Sequence, residues 1–351
     1  MKPPVETPHK AARSTKYRQE IANRQDSTPS SYALGVRILS MAAFAYVIAA
    51  YLNARVFHLL VDAEGQPPFW FSQWSEYLVI ALFGIWRVVA ERNSYTRKRL
   101  AFLVAAVALL WWAVPTSLRI PEPYIGALPG QPILPQLHTP GTLTFFVILL
   151  LVVLFGRRVI CGWNCPCVGI RETVGFAFRD RTPRSSTAWR WRHLKWLFFG
   201  LYVGVTAMIL IPGIPGVSTV YRLFLGLVGL PYFTSMLLSP WIGNRGYCRF
   251  LCPYGATFGL LNRIGFFQVK LDHDRCIDCG RCEQVCDMGI PIHRQGLAAG
   301  KVTSIEECMG CGRCVVSCPT DALSFLDVRD VLKPGLPRNG SRLLGRKSRT
   351  N

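Results

Sequence analysis

Six apolar runs organise the chain, at positions 34–50, 70–90, 100–114, 142–156, 196–211 and 223–243. Each is nearly continuous rather than striped, which predicts helices that are apolar all round, as membrane-crossing helices are. Several fall short of the roughly 20 residues that a crossing needs, so flanking residues must complete them. Pro231 and Pro240 predict a kink in the sixth run.

The segments between the runs alternate in charge. The first 31 residues are basic, and 52–69 holds only Arg55. Arg92, Arg97, Lys98 and Arg99 crowd 91–99, whereas 115–141 has only Arg119. Nine Arg or Lys fall in 157–195, and one, Arg222, in 212–222. Arg245 and Arg249 follow the sixth run. Basic segments stay on the cytoplasmic side, so this alternation predicts six crossings with both termini inside a bacterial inner membrane. The first helix reads as uncleaved, because the polar stretch before it is too long for a signal peptide.

The expected fold class is therefore mostly α, a polytopic helical bundle followed by a small α+β module. Its expected parts are a disordered basic tail (1–31), spans one to four (32–156), a basic cytoplasmic loop (157–195) and spans five and six (196–243). A connector (244–268), the α+β module (269–330) and a flexible basic tail (331–351) complete it. Seven prolines in 115–141 predict an extended outer segment, a connector or a docking surface.

Half of the 351 residues are hydrophobic, and the net charge is +20. The charge does not mark a nucleic-acid binder. Positions 271–330 hold ten acidic against six basic residues, a net of −4, which leaves +24 on the rest, mostly beside apolar runs. The partner that this distribution predicts is a lipid bilayer.

Eight of the 13 cysteines lie in the acidic module. They read Cys276-x2-Cys279-x2-Cys282-x3-Cys286 and Cys308-x2-Cys311-x2-Cys314-x3-Cys318-Pro319. This spacing binds [4Fe–4S] clusters: three close cysteines wrap one corner, and the fourth ligand comes from the other run. One cluster is assigned to Cys276, Cys279, Cys282 and Cys318, the second to Cys308, Cys311, Cys314 and Cys286. A zinc site would close on four ligands without a tight run of three and a swapped fourth. Thiolate ligation suits the reducing cytoplasm, in agreement with an even number of crossings.

Four more cysteines form a repeat, Arg158-x2-Cys161-x3-Cys165-Pro166 and Arg245-x2-Cys248-x3-Cys252-Pro253, 87 residues apart. Each copy follows an apolar run and precedes a short amphipathic segment, which places both at the cytoplasmic edge. Cysteines four apart share a helical face, and two pairs supply four thiolates for a third cluster, another thiophilic metal or a redox dithiol. Buried free cysteine is the plain alternative. Cys167 has Tyr254 as its counterpart, and reads as a further ligand or a small apolar residue.

No haem, flavin or nucleotide is expected. A C-x-x-C-H haem motif, a dinucleotide fingerprint and a phosphate-binding loop are all missing. The spans are read as lacking Asp and Glu, which disfavours transport. No catalytic residue is assigned.

With two C-x3-C-P motifs ahead of the eight-cysteine module, the chain resembles the NapH/NosR-type membrane iron–sulfur proteins. It is more distantly similar to ferredoxin-like membrane proteins of cytochrome-oxidase assembly. The resemblance covers about 153–326. It is most specific at Cys161-Gly162-Trp163-Asn164-Cys165-Pro166, at Cys248-Arg249-Phe250-Leu251-Cys252-Pro253-Tyr254-Gly255-Ala256, and at the eight module cysteines. It implies electron transfer between the quinone pool, or another membrane carrier, and a redox partner, as an electron carrier or a quinol-dehydrogenase-like component. The alternative is a metal-handling or reducing factor that assembles a respiratory metalloenzyme. One departure from the family pattern is Cys286-Asp287, where a proline is usual.

Overall fold

A computed structural model describes residues 30–62, 65–72, 74–114, 117, 140–210, 216–292 and 305–331. The expected tails and most of the proline-rich segment lie outside the described residues.

Helices occupy all six apolar runs. They are α1 (Ser30–Leu52), α2 (Ser75–Ala90), α3 (Ser94–Ala108) and α4 (Pro140–Phe155). Short helix α5 (Pro166–Thr173) is followed by α6 (Leu194–Leu210) and α7 (Val217–Leu237). Asn93 caps α3 by accepting from the Thr96 N–H at 3.1 Å. Pro231 sits inside α7, but Pro240 opens a separate turn, Ser239–Ile242, so the sixth apolar run is two helices. Among the described residues, Leu34–Leu52 is the one helical stretch long and apolar enough to cross a bilayer. Large apolar side chains nonetheless face outward from several helices, among them Ile38, Leu82, Ile85, Leu150, Leu223 and Leu230.

One expectation is corrected here. The second apolar run contains Glu76, in the first turn of α2, and it accepts a hydrogen bond from the Tyr232 hydroxyl at 2.7 Å. It follows Ser72, Gln73 and Ser75 at the polar start of that run, and its partner lies 156 residues away.

Helix α8 (Pro253–Ile264) leads into the C-terminal module. There β1 (Gln268–Leu271) pairs antiparallel with β2 (Leu323–Leu326), Gln268 opposite Leu326 and Leu271 opposite Leu323. One hydrophobic core runs from Phe44 and Ile80 in the bundle to Met309 and Val315 in the module. The module also packs against the basic loop, as charge complementarity leads one to expect. Arg158 pairs with Asp327, Lys195 with Glu307 at 2.6 Å, and Arg184 donates to the Glu283 and Gln284 carbonyls.

Gly156 ends α4 in a left-handed conformation, φ +82°, and a Cβ there would sit 2.4 Å from the Phe267 ring. Both effects oppose a side chain. Gly156→Ala is expected to destabilise the protein by about 2–3 kcal/mol, read as a lower thermal midpoint in detergent.

Candidate iron–sulfur centres

The two cysteine runs build matching loops. Each ends in a short helix, Arg281–Gln284 or Arg313–Val316, entered through a left-handed glycine, Gly280 or Gly312. Asp278 is also left-handed, φ 60°. These turns curl each run and bring its three sulfurs to one side.

The fold joins the cysteines across the runs. Cys276 interacts electrostatically with Cys318 as well as Cys279, and Cys282 with Cys276 and Cys279. In the other group, Cys286, Cys308, Cys311 and Cys314 line one cavity. Val269, Met288, Ile290, Ile292, Met309 and Phe325 supply its apolar wall. Four thiols around a hollow walled mostly by apolar side chains fit a cubane cluster, whose iron corners each take one sulfur. Among the described residues, no three His, Cys, Asp or Glu side chains converge as a single ion requires; the corners of a cluster stand farther apart.

Backbone N–H groups already point at the sulfurs. Ala322 donates to Cys318 Sγ at 3.3 Å, Gly310 to Cys308 Sγ at 3.4 Å and Ile290 to Cys286 Sγ at 3.5 Å. Such bonds stabilise negative charge on sulfur and tune reduction potential. Burial pushes the Cys282, Cys286 and Cys308 thiols up to about 12. In the metal-free protein they are protonated, so loading iron must release protons.

The repeat is built differently from the expectation. Cys161 lies in a helical turn, Arg158–Gly162, and Cys248 in another, Gly246–Phe250. Cys165 and Cys252 are extended N-cap residues of the next helices, α5 and α8, with Pro166 and Pro253 in the first helical turn. The two cysteines of a copy therefore do not share one helix. Proline cannot continue the preceding turn and starts a new helix instead. Cys252 Sγ accepts from the Gly255 N–H at 3.3 Å.

The fold brings the two copies together. Cys161 interacts with Cys248, Cys165 with Cys161 and Cys248, and Cys252 with Cys248 and Cys161. Burial pushes the Cys161 and Cys252 thiols up, and Arg157 opposes this at Cys161. Cys167 hydrogen-bonds Cys165 and lies beside Glu76, Arg171 and Tyr232. The first copy packs against α2 and α3. Trp111 donates to Asn164 at 3.1 Å, and Gly169 packs on Ile80 and Val107.

This group also abuts the module. A Cβ on Gly162 would lie 2.6 Å from the Met309 carbonyl, one residue after Cys308. Only glycine lets the two segments approach so closely.

Spacing alone could not reveal the charged groups around the cysteines. Glu172, 1% exposed, accepts from Arg99 at 3.0 Å and also from Arg179 and Arg245. Asp287 binds Arg313 through both carboxylate oxygens, at 2.8 and 3.0 Å, and pairs with Arg179. This accounts for the missing proline: an aspartate there fastens the first run to the second and to the basic loop. The available signal was two acids, Glu172 and Asp180, alone among the nine cations of 157–195.

Family models match both regions. A 4Fe–4S dicluster domain matches 268–325, and a 4Fe–4S binding domain matches 138–185 and 223–272, the stretches that carry the two repeat copies. The chain is 26% identical over 203 residues to a putative electron transport protein, YccM, of Escherichia coli. That match covers 53% of this chain and 55% of the relative, so the chain spans about half of that protein's length. It is 27% identical to the ferredoxin-type protein NapH of Haemophilus influenzae, over 54% of this chain and 70% of the other. It is 28% identical to the methylamine utilization ferredoxin-type protein MauN of Paracoccus denitrificans, over 48% and 62%. No solved structure matches the chain. Eight cysteines in ferredoxin spacing, a paired C-x3-C-P repeat and these relatives together support a NapH-type, ferredoxin-like iron–sulfur family for the chain.

Proposed function

We propose that the chain is a membrane-bound electron-transfer protein with two [4Fe–4S] clusters in its C-terminal module and a third centre at the repeat. It passes electrons between the quinone pool, or another membrane carrier, and a redox partner. Cys276, Cys279, Cys282 and Cys318 hold one cluster; Cys308, Cys311, Cys314 and Cys286 hold the other. Cys161, Cys165, Cys248 and Cys252 hold the third centre, read as a further cluster.

The observation that carries this reading is the gathering of all three cysteine groups on one continuous core between bundle and module. When bound, a cluster supplies a one-electron carrier whose potential the protein sets. The protein's part is to hold the thiolates in place, exclude water with Met288, Ile290 and Ile292, and aim N–H groups at sulfur. The Gly162–Met309 contact keeps the repeat against the second cysteine run.

Six helices in the six apolar runs, their outward apolar side chains and the alternating loop charge support six crossings, with the module on the cytoplasmic side. The acids and bases between module and basic loop then fasten the clusters to the membrane surface.

The test is a chain with Cys161, Cys165, Cys248 and Cys252 all changed to serine. It is expected to lose about four irons while the module's clusters stay reducible by dithionite. Reduction by a quinol analogue in membranes is expected to be lost. An unchanged iron content together with unchanged quinol reduction contradicts a third centre. The metal-handling alternative is read in a chain lacking the eight module cysteines: copper retained at the repeat favours it, and iron favours the third cluster.

A further inference from the structure

Six Arg or Lys side chains are buried among the described residues: Arg99, Arg157, Arg171, Lys195, Arg245 and Arg249. Arg99 and Arg245 pair with Glu172, and Lys195 with Glu307. The other three have no carboxylate within ion-pair distance among the described residues. Arg157 donates to the Gly255 and Glu306 carbonyls at 3.1 and 2.9 Å. Arg249 donates to the Pro183 carbonyl at 2.6 Å, and Arg171 to Ser235 Oγ at 2.5 Å. A buried cation without a counter-charge is costly. Each of the three faces cysteine, Arg157 the repeat, Arg171 Cys167 and Arg249 Cys286, while Glu307 acts on Arg157 and Arg249 from beyond ion-pair distance.

Arg157 faces two of the proposed centres. It is 1% exposed, and its charge interacts with Cys161, then with Glu307, Cys248 and Cys252. It also acts on Cys308, and its guanidinium holds the Glu306 carbonyl two residues before that cysteine. Its main-chain N–H donates to Asn262 Oδ1 at 2.7 Å, and the same Asn262 amide donates to the Cys308 carbonyl at 3.1 Å. Both ends of the residue are therefore fixed between the repeat and the second cysteine run. Its Nε has no hydrogen-bond partner among the described residues. The second repeat copy has Asn244 at the corresponding position, so the cation is particular to the first copy.

We propose that Arg157 is the shared counter-charge of the repeat-held centre and the Cys308 cluster, a positioning residue that raises the reduction potential of both. The inference rests on the reading that both cysteine groups hold redox centres. An electron arriving on either side adds one negative charge, and no proton is available from a guanidinium to cancel it. A fixed cation between the centres stabilises that charge whichever side holds it. It therefore makes each centre easier to reduce while leaving the driving force between them nearly unchanged.

The test is redox titration of the full chain with spectroscopic readout, for wild type, Arg157→Gln and Arg157→Lys. Iron content is counted first. A wild type without iron at the repeat defeats the underlying reading, and a wild type with it isolates the inference. Arg157→Gln is expected to keep its iron and lower both midpoints by at least tenfold in electron affinity, about 59 mV for one electron. Arg157→Lys is expected to keep both midpoints within threefold of wild type. Unmoved midpoints in Arg157→Gln overturn the proposal. If that variant does not assemble, the lysine variant decides alone, and a tenfold shift in it overturns the proposal.

Discussion

Cys308→Ala is expected to remove one whole cluster, about four irons per chain, rather than to weaken it. Cys308 lines the same cavity as Cys286, Cys311 and Cys314. Its sulfur accepts from Gly310, and its carbonyl from Asn262. Alanine leaves three thiols around the hollow. The group at Cys276, Cys279, Cys282 and Cys318 keeps all four sulfurs and is expected to stay loaded. Iron and acid-labile sulfide analysis checks this, and so does loss of about half of the module's broad absorption near ~400 nm. Full iron in this variant would mean that Cys308 is not a ligand.

Glu172→Gln carries the second large effect. Glu172 is buried, and Arg99, Arg179 and Arg245 converge on it. Arg99 also donates to the Gly162 carbonyl at 2.9 Å, inside the first C-x3-C-P copy. The hub thus ties α3, α5 and both repeat copies together. Glutamine leaves these arginines without their carboxylate, and breaking a buried pair in this way costs about 3–5 kcal/mol. Thermal unfolding in detergent is expected to show a midpoint many degrees lower, with loss of iron at the repeat before loss at the module.

The same carboxylate gives a pH dependence. Burial by itself would raise its pKa, but Arg179, Arg99 and Arg245 outweigh burial and hold it well below the usual carboxylate range. A depressed folded pKa contributes stability that is fully present above the ordinary carboxylate value. That contribution is lost as pH falls through the folded value. Wild type is expected to lose stability on acidification over this window. Glu172→Gln is expected to have lost the contribution already and to show a flatter acid limb.

Local patterns were legible in the sequence, and long-range charge pairs were not. Continuous apolar runs located all six long helices because side-chain apolarity decides helix burial locally. The cysteine runs were readable because their spacing is local: three cysteines fall within seven residues in each, 276–282 and 308–314. The internal geometry of the repeat was misread: cysteines four apart share a helical face only if one helix contains both, and Pro166 and Pro253 each start a new helix. Glu76 was missed inside an apolar run. Glu172, Asp287 and Arg157 were missed because their partners lie far along the chain, as Arg157 to Glu306 shows. In sequence Asp287 is only a departure from a motif, yet it fastens the two cysteine runs through Arg313.

Iron counting on anaerobically purified full-length protein, with acid-labile sulfide and a redox titration on the same sample, tests the central claim most directly. The account predicts about eight irons per chain from the module and about twelve with the repeat centre, all matched by sulfide and reversibly reducible. Iron far below eight per chain, or iron without matching sulfide and without reversible reduction, would contradict it.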